Sequence, residues 1–362
     1  MLIDKTIVAR CMFRKQLFWG VISLGKVPGE LLRKYVFRRT GSRRDDVIVG
    51  PQEGVDVSVM SAGDDIAIVA HCDPIVGALR RIGWLAVNIA CNDVATAGVR
   101  PRWILPTILL PEKWDEGMID EITKDIDNAS KELGVAVVGG HTGYAVGSLR
   151  PIVVVTAMGT GLRSEVITSA GAGVGDSVYI TKGAGIEGTA ILASDFRDVL
   201  LEKGVSEELI RRAERFMNEI SVVKEALALS EAKAVTAMHD ATRGGVAEAL
   251  AELAVASNKT IEVWEDRIPI RPETKAFAEA LGFDPLWMIS SGTLVFTAPK
   301  ERAERVREVM DSLGIKYAEI GEVREGKAEV LIHRERGIER IKNPQPERDE
   351  LARLWEIYPR VG

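Results

Sequence analysis

The chain has little of what many catalytic and structural motifs are built from. Of its 362 residues, three are cysteine (Cys11, Cys72 and Cys91) and four are histidine. The cysteines are widely spaced and odd in number, which argues against a disulfide framework and for a reducing, cytoplasmic setting. No pair has metal-clip spacing, so no structural zinc site is expected. Long hydrophobic runs are also missing. The longest early one, Leu17 to Leu24, is too short to span a bilayer. It follows Arg14-Lys15 but no small-residue cleavage site comes after it, so it reads as a buried segment. There is no internal repeat, no low-complexity tract and no P-loop signature. What is present is an ordinary globular composition, 46% apolar and 28% charged, in a chain long enough for two domains with buried cores.

Charge is unevenly placed. Residues 1–44 hold eleven Lys and Arg against Asp4 and Glu30, a net of +9, which leaves −15 for the rest of a chain whose total is −6. A basic arm over residues 1–45 on an acidic body can dock on an acidic surface or help neutralise phosphate. Nucleic-acid binding is the least favoured of these readings.

Periodicity gives the organisation. Val55–Met60 and Asp65–Asp73 read as strands around the turn Ser61-Ala62-Gly63-Asp64. Residues 81–98 have helical spacing and stop at Gly98, and residues 114–134 form a charged amphipathic helix ended by Gly134. Residues 102–111 read as a strand whose Pro106 places it at an edge or a bend. Further strands flank the passage His141–Leu149. A polar, Gly-rich stretch near 163–176 marks a boundary. The second half reads strand, helices over about 206–231, the stretch 234–256, a helix over about 273–281, a strand in Gly292–Pro299 and a helix from Glu301. A hairpin over Tyr317–His333 follows. The mixed order favours two α+β domains, 46–163 and 170–335, with a tail over 336–362.

Aspartates at the ends of apolar runs carry the chemical signal: Asp56, Asp73, Asp93 and Asp240. Any one of them reads as a turn residue or a helix cap. As a converging set they would repel unless a cation lay between them, and oxygen ligands suit Mg²⁺. Glycine-rich passages at Val49–Asp56, Val137–Gly147 and Thr181–Ala190 let backbone N–H groups face a site. Gly183, Gly185 and Gly188 match a dinucleotide spacing, but no acidic residue at the right distance completes it. His71, His141 and His239 lie beside these segments. They read either as a transition-metal centre or as polar strand-end residues bonded to backbone.

The stretch "AVTAMHDATRGGVAEAL" (234–250) joins these features. A strand end supplies Asp240, the turn supplies Thr242 and Arg243, and Gly244-Gly245 open a helix. Helix N-terminal amides with an Arg fork favour an anion. The alternative is that Thr242 merely caps the helix and the glycines allow tight packing.

Together the motifs "GKVPGELL", "GPQEGVD", "CDPIVGA", "NDVATAGVRP", "VVGGHT", "KGAGIEGTAIL", "HDATRGGVAEALAELA", "IPI" and "LGFDPLWMISSGTLVF" occur in order over residues 25–335. In that order they resemble the ATP-dependent PurM-like superfamily. Its members include aminoimidazole ribonucleotide synthetase, selenophosphate synthetase, thiamine-monophosphate kinase and the hydrogenase-maturation dehydratase, and the resemblance is to paralogues of that last branch. The resemblance implies an α+β two-domain fold. Its ferredoxin-like N-terminal domain pairs into a β-barrel in a homodimer, and a larger C-terminal α/β domain closes the cleft. It implies ATP and Mg²⁺ as cofactors and a small-molecule acceptor. Asp56, Asp73 and Asp93 would hold the metal. Asn92, Gly50, Gly54, Gly139, Gly140 and Thr142 would line the nucleotide. Asp240, Thr242 and Arg243 would face the acceptor, with His141 in the catalytic set.

Two departures are visible. The dehydratase branch ends in a cysteine that carries the group being dehydrated, whereas this sequence ends "YPRVG", so a different acceptor is expected. Relatives carry an acidic residue after Gly-Gly, or read His-Thr-Glu there, where this sequence reads Gly139-Gly140-His141-Thr142-Gly143. The expected function is ADP-forming activation of an acceptor oxygen, or else nucleotide binding by a regulatory or maturation partner with little turnover.

Overall fold

Two seven-stranded sheets organise the chain in a computed structural model that describes residue 27 and residues 29–75 and 80–358. The Leu17–Leu24 run and most of the basic arm lie outside the described residues. The first half comprises β1 (Val47–Val49), β2 (Ser58–Ser61), β3 (Ile66–Ile75), α1 (Ile82–Thr96), β4 (Pro101–Leu110), α2 (Glu116–Leu133), β5 (Ala136–Val137), β6 (His141–Tyr144) and β7 (Ile152–Leu162). Its sheet order is β1-β2-β3-β7-β4, with β5 and β6 both pairing the far side of β4.

The second half comprises β8 (Ser177–Thr181), α3 (Ile186–Asp195), α4 (Arg197–Glu202), α5 (Glu207–Glu214), α6 (Val223–Glu231), β9 (Ala237–Ala241), α7 (Gly245–Ser257) and β10 (Thr260–Trp264). It continues with α8 (Pro272–Leu281), β11 (Thr293–Ala298), α9 (Ala303–Leu313), β12 (Tyr317–Arg324), β13 (Glu329–Arg334), β14 (Gly337–Ile341) and α10 (Glu350–Ile357). Here the order is β14-β13-β10-β12-β8-β11-β9. Among the described residues, no helix is long and apolar enough to cross a membrane.

Local chemistry explains the boundaries. Asp115 caps α2 by accepting from the Met118 amide, and Gly134 ends it at φ 69°. In α1 every residue is buried, because the helix lies between the first sheet and elements of the second half. A helix enclosed on all sides is apolar on all sides, so its few polar residues stand out: Asn88, Asn92, Asp93 and Thr96. Asn92 fastens the halves together. Its amide donates to Ile220 O at 2.9 Å and accepts from Val222 N at 2.8 Å.

Two sequence expectations change. Pro106 sits in an internal strand, with β7 on one side of β4. On the other side β5 ends at Val137 and β6 begins at His141, so the pairing is interrupted opposite Leu105 and Pro106. The proline therefore occupies a break in the neighbouring pairing rather than a sheet edge. The expected hairpin over 317–333 is not one either. β10 lies between β12 and β13, antiparallel to the first and parallel to the second.

The first sheet has two unlike faces. Ala67, Val69, His71, Asp73 and Ile75 of β3 face α1, and so do Val153, Val155 and Ala157 of β7. The opposite face carries Met60, Ile68, Ala70, Trp103, Leu105, Leu109, Val154 and Met158 in register across four strands, all half-buried. Ile66 and Leu162 beside them are exposed.

Candidate active site

Three chain segments deliver carboxylates to one place: the loop before β2, the last turn of α1 and the end of β9. Asp93 and Asp240 are buried, and Asp56 is partly so. Both oxygens of Asp240 are buried and lack a hydrogen-bond donor. Ligand atoms of Asp56, His239 and Asp240 all lie within 4.8 Å of one another, a spacing that fits a metal ion. Burial, then the charges of Asp240, Asp56 and Asp73, push the Asp93 carboxyl well above its ordinary value. Burial, then Asp56, pushes Asp240 up to about 6, while His239 and His71 pull it down. Carboxylates placed this way require a shared proton or a cation between them.

The two histidines restrain the set. His71 Nδ1 bonds the Asp56 carbonyl, and its Nε2 lies 3.3 Å from Asp93 Oδ2. His239 pairs with Asp56 through Nδ1 and with Glu252 through Nε2 at 2.9 Å. Burial works against a charge on His239, but these two carboxylates override it and hold the imidazole well above its ordinary value. His239 therefore bridges Asp56 and Glu252 of α7.

Gly54 makes that bridge possible. Its φ is +75°, and a Cβ there would lie 2.4 Å from the Glu252 carbonyl, so the loop carrying Asp56 presses directly on α7. Gly54→Ala should lower stability by roughly 2–4 kcal/mol, from left-handed backbone strain plus a backbone clash. It should also weaken any ligand that uses Asp56. A denaturant midpoint within error of wild type would contradict this packing account.

The remaining candidates are dispersed. Asp73 lies on the α1-facing side of β3, and its charge is felt at Asp93. Gly50 follows β1. Gly139, Gly140, His141 and Thr142 line a separate cavity of about 400 Å³ with Pro106 and Ile108. The register Asp73–Val155–Pro106, with Thr107 opposite His141, puts that cavity three strands away, roughly 14 Å at ordinary strand spacing. Asn92 lies beside Asp93 in α1, with its amide used by residues 220 and 222.

At the glycine corner Thr242 is not a side-chain cap. The residue entering α7 is Gly244, at φ 77°, and the Thr242 carbonyl accepts from Gly245 N and Ser290 N. The Gly244 amide donates to Asp349 Oδ2 at 2.8 Å. An anion does sit on this helix N-terminus, and it is the chain's own carboxylate.

Sequence reasoning missed Glu252, Glu187 and Asp349. Glu248 and Glu252 are four residues apart in a helix otherwise built of Gly, Val, Ala, Leu and Ser, a usable signal. Glu187 is the lone acid in the first turns of α3. Burial pushes the Glu187 carboxyl up to about 7, against the pull of Ser291 and Arg243. Because that value lies above the ordinary 4.5, the stability Glu187 contributes is fully present below about pH 4.5 and is lost as pH rises through about 7. Glu187→Gln should therefore stabilise the protein at pH 8 by roughly 1–3 kcal/mol and have little effect at pH 4.5. Denaturant midpoints at the two pH values check this, and a variant no more stable than wild type at pH 8 would refute it.

Comparison with known proteins agrees with this architecture. Residues 54–161 match the AIR synthase related protein, N-terminal domain, and residues 173–334 match the corresponding C-terminal domain. A provisionally named hydrogenase expression/formation protein of Methanocaldococcus jannaschii is 30% identical over 296 residues, 79% of this chain and 84% of that protein. Carbamoyl dehydratase HypE of Azotobacter vinelandii is 31% identical over 235 residues, 63% of this chain and 65% of the enzyme. The crystal structure of Escherichia coli HypE superposes with a TM-score of 0.64 at 27% identity, covering 78% of this chain and 87% of that one. Two matched domains in order, a two-sheet α+β frame and relatives over most of its length place the chain in the AIR synthase related, PurM-like family, among homologues of the hydrogenase-maturation protein HypE.

Proposed function

We propose that the protein is a Mg²⁺-dependent, ATP-utilising enzyme that activates an oxygen of a small-molecule acceptor, forming ADP. The observation that carries this is the mutual approach of Asp56, Asp93 and Asp240, the charges of the other two being felt at Asp93, with both Asp240 oxygens buried and lacking a donor. A hard divalent cation fits such oxygens. Asp56, Asp93 and Asp240 would hold it, with Asp73 beside them; bound there, it would neutralise phosphate charge. Kinship with carbamoyl dehydratase HypE favours chemistry at a carbon–oxygen group.

The protein's own contribution is positioning and charge placement. His239 fixes the Asp56 carboxylate against α7, and His71 ties the Asp56 backbone to Asp93. Arg243 at the Gly244 corner supplies positive charge for an anionic acceptor or for the transferred phosphate. Gly139, Gly140, His141 and Thr142 lie at a distance an extended nucleotide bridges, and we assign them to its far end.

We further assign the open apolar face of the first sheet to a second copy of the chain, the two sheets closing as a barrel. A face of this extent is otherwise left partly in water.

The test is product analysis. Purified protein with MgATP and fractionated metabolite pools should release ADP with some acceptor fraction. ATP bound tightly but never consumed with any fraction would reduce the protein to a nucleotide-binding partner.

A further inference from the structure

Five non-glycine residues among those described hold a left-handed backbone: Asp64, Arg81, Lys182, Lys233 and Asn258. Asp and Asn adopt it readily, and Lys233 closes the end of α6. Arg81 and Lys182 have no such local reason. At Lys182 φ is +60°, a conformation that a glycine would take without strain. A lysine held there against its backbone preference points to a need for its side chain.

That side chain is 11% exposed, and an ammonium has three donors to place. All three are used, on Glu219 O at 3.0 Å, Ser221 O at 2.7 Å and Glu225 Oε1 at 2.7 Å. Arg81 reaches the same segment from the first half, its Nη1 donating to Asn218 Oδ1 at 2.9 Å. Asn92 holds the segment at Ile220 and Val222. Gly292 lies against it, where a Cβ would come 2.6 Å from the Glu219 carbonyl. Residues 218–222 are thus tied at every position. Asn218, Glu219 and Ser221 nevertheless border a cavity of about 1550 Å³, so on that side polar ties rather than packing fix the segment.

What the ties fix is α1. Asn92 is the residue before Asp93, so a shift of 220–222 moves the helix that presents Asp93 to Asp240. We propose that Lys182 is a positioning residue for the carboxylate site: its hold on residues 219 and 221 sets, through Asn92, where α1 places Asp93. This rests on reading Asp93 as a metal ligand. The buried Lys182–Glu225 pair then serves to hold one arrangement rather than to add stability.

Lys182→Met with Glu225→Leu removes both charges together, so no buried ion is stranded. The full chain carrying it should stay folded, with a melting temperature near wild type. In titrations of Mg²⁺ at fixed ATP its midpoint should rise about tenfold or more. Hydrogen exchange over residues 89–96, measured in EDTA, should quicken. Arg81→Gly suits the local backbone and removes the tie to Asn218. It should move both readings the same way, and it decides the matter if the double variant does not fold. Lys224→Ala, at an exposed lysine on the same cavity, should leave both at wild type. A wild-type Mg²⁺ midpoint in the folded double variant, unchanged exchange, or an equal shift in Lys224→Ala would each overturn the proposal. A wild-type protein that binds ATP without Mg²⁺, or not at all, sinks the metal reading instead. Exchange in EDTA then still decides whether Lys182 holds α1.

Discussion

Asp93→Asn should stabilise the metal-free protein and abolish its metal-dependent nucleotide binding. Asp93 is enclosed in α1, and its carboxyl faces Asp240 with Asp56 and Asp73 nearby. Without a cation, like charges in a water-poor space repel, and burial adds to the cost. The asparagine amide removes one charge and offers a donor to the orphaned Asp240 oxygens. A gain of about 1–3 kcal/mol in the chelated protein is expected. With Mg²⁺ present, the same change removes a proposed carboxylate ligand, and ATP affinity should fall at least about 100-fold, some 3 kcal/mol. Thermal melts in EDTA and titrations in Mg²⁺ read the two effects separately. A destabilised variant that still binds ATP with wild-type affinity would remove Asp93 from the site.

The second large effect concerns the open sheet face. Met158 lies at its centre, on the strand between β3 and β4, with Ala70 on one side and Trp103 on the other. Met158→Arg should leave each chain folded, because the position is half-buried and an arginine there can carry its head to water. In a dimer built on this face, the substitution sets a guanidinium against its copy in an apolar layer. The dissociation constant should rise about a thousandfold or more, roughly 4 kcal/mol, and light scattering at micromolar concentration should show half the wild-type mass. A monomeric wild type, or a variant of unchanged mass with its fold intact, would rule out this face as the contact.

Much of the fold was legible because its elements carry local signals. The strands β2 and β3 with their turn, α2 with its Asp115 and Gly134 ends, and the β9–α7 stretch follow from periodicity and capping alone. The β12–β13 hairpin misled because sequence adjacency was taken for pairing. The parallel partner β10 comes from more than fifty residues upstream and leaves no local trace. The aspartates at the ends of apolar runs were visible for the same reason as the strands that present them. That Asp93 would be wholly enclosed was not, since α1 is buried by both halves at once. Nor was the role of Asp349, which reads in isolation as one acid in a charged tail. Its partner at Gly244 is 105 residues away, and only the folded chain brings them together.

The central claim is that buried carboxylates seat a metal-bound nucleotide. Its most direct test is calorimetric titration of ATP into the wild-type protein, once with Mg²⁺ and once with EDTA. Saturable micromolar binding with Mg²⁺ and none with EDTA is the predicted result. No heat in Mg²⁺, or equal affinity in EDTA, would contradict it.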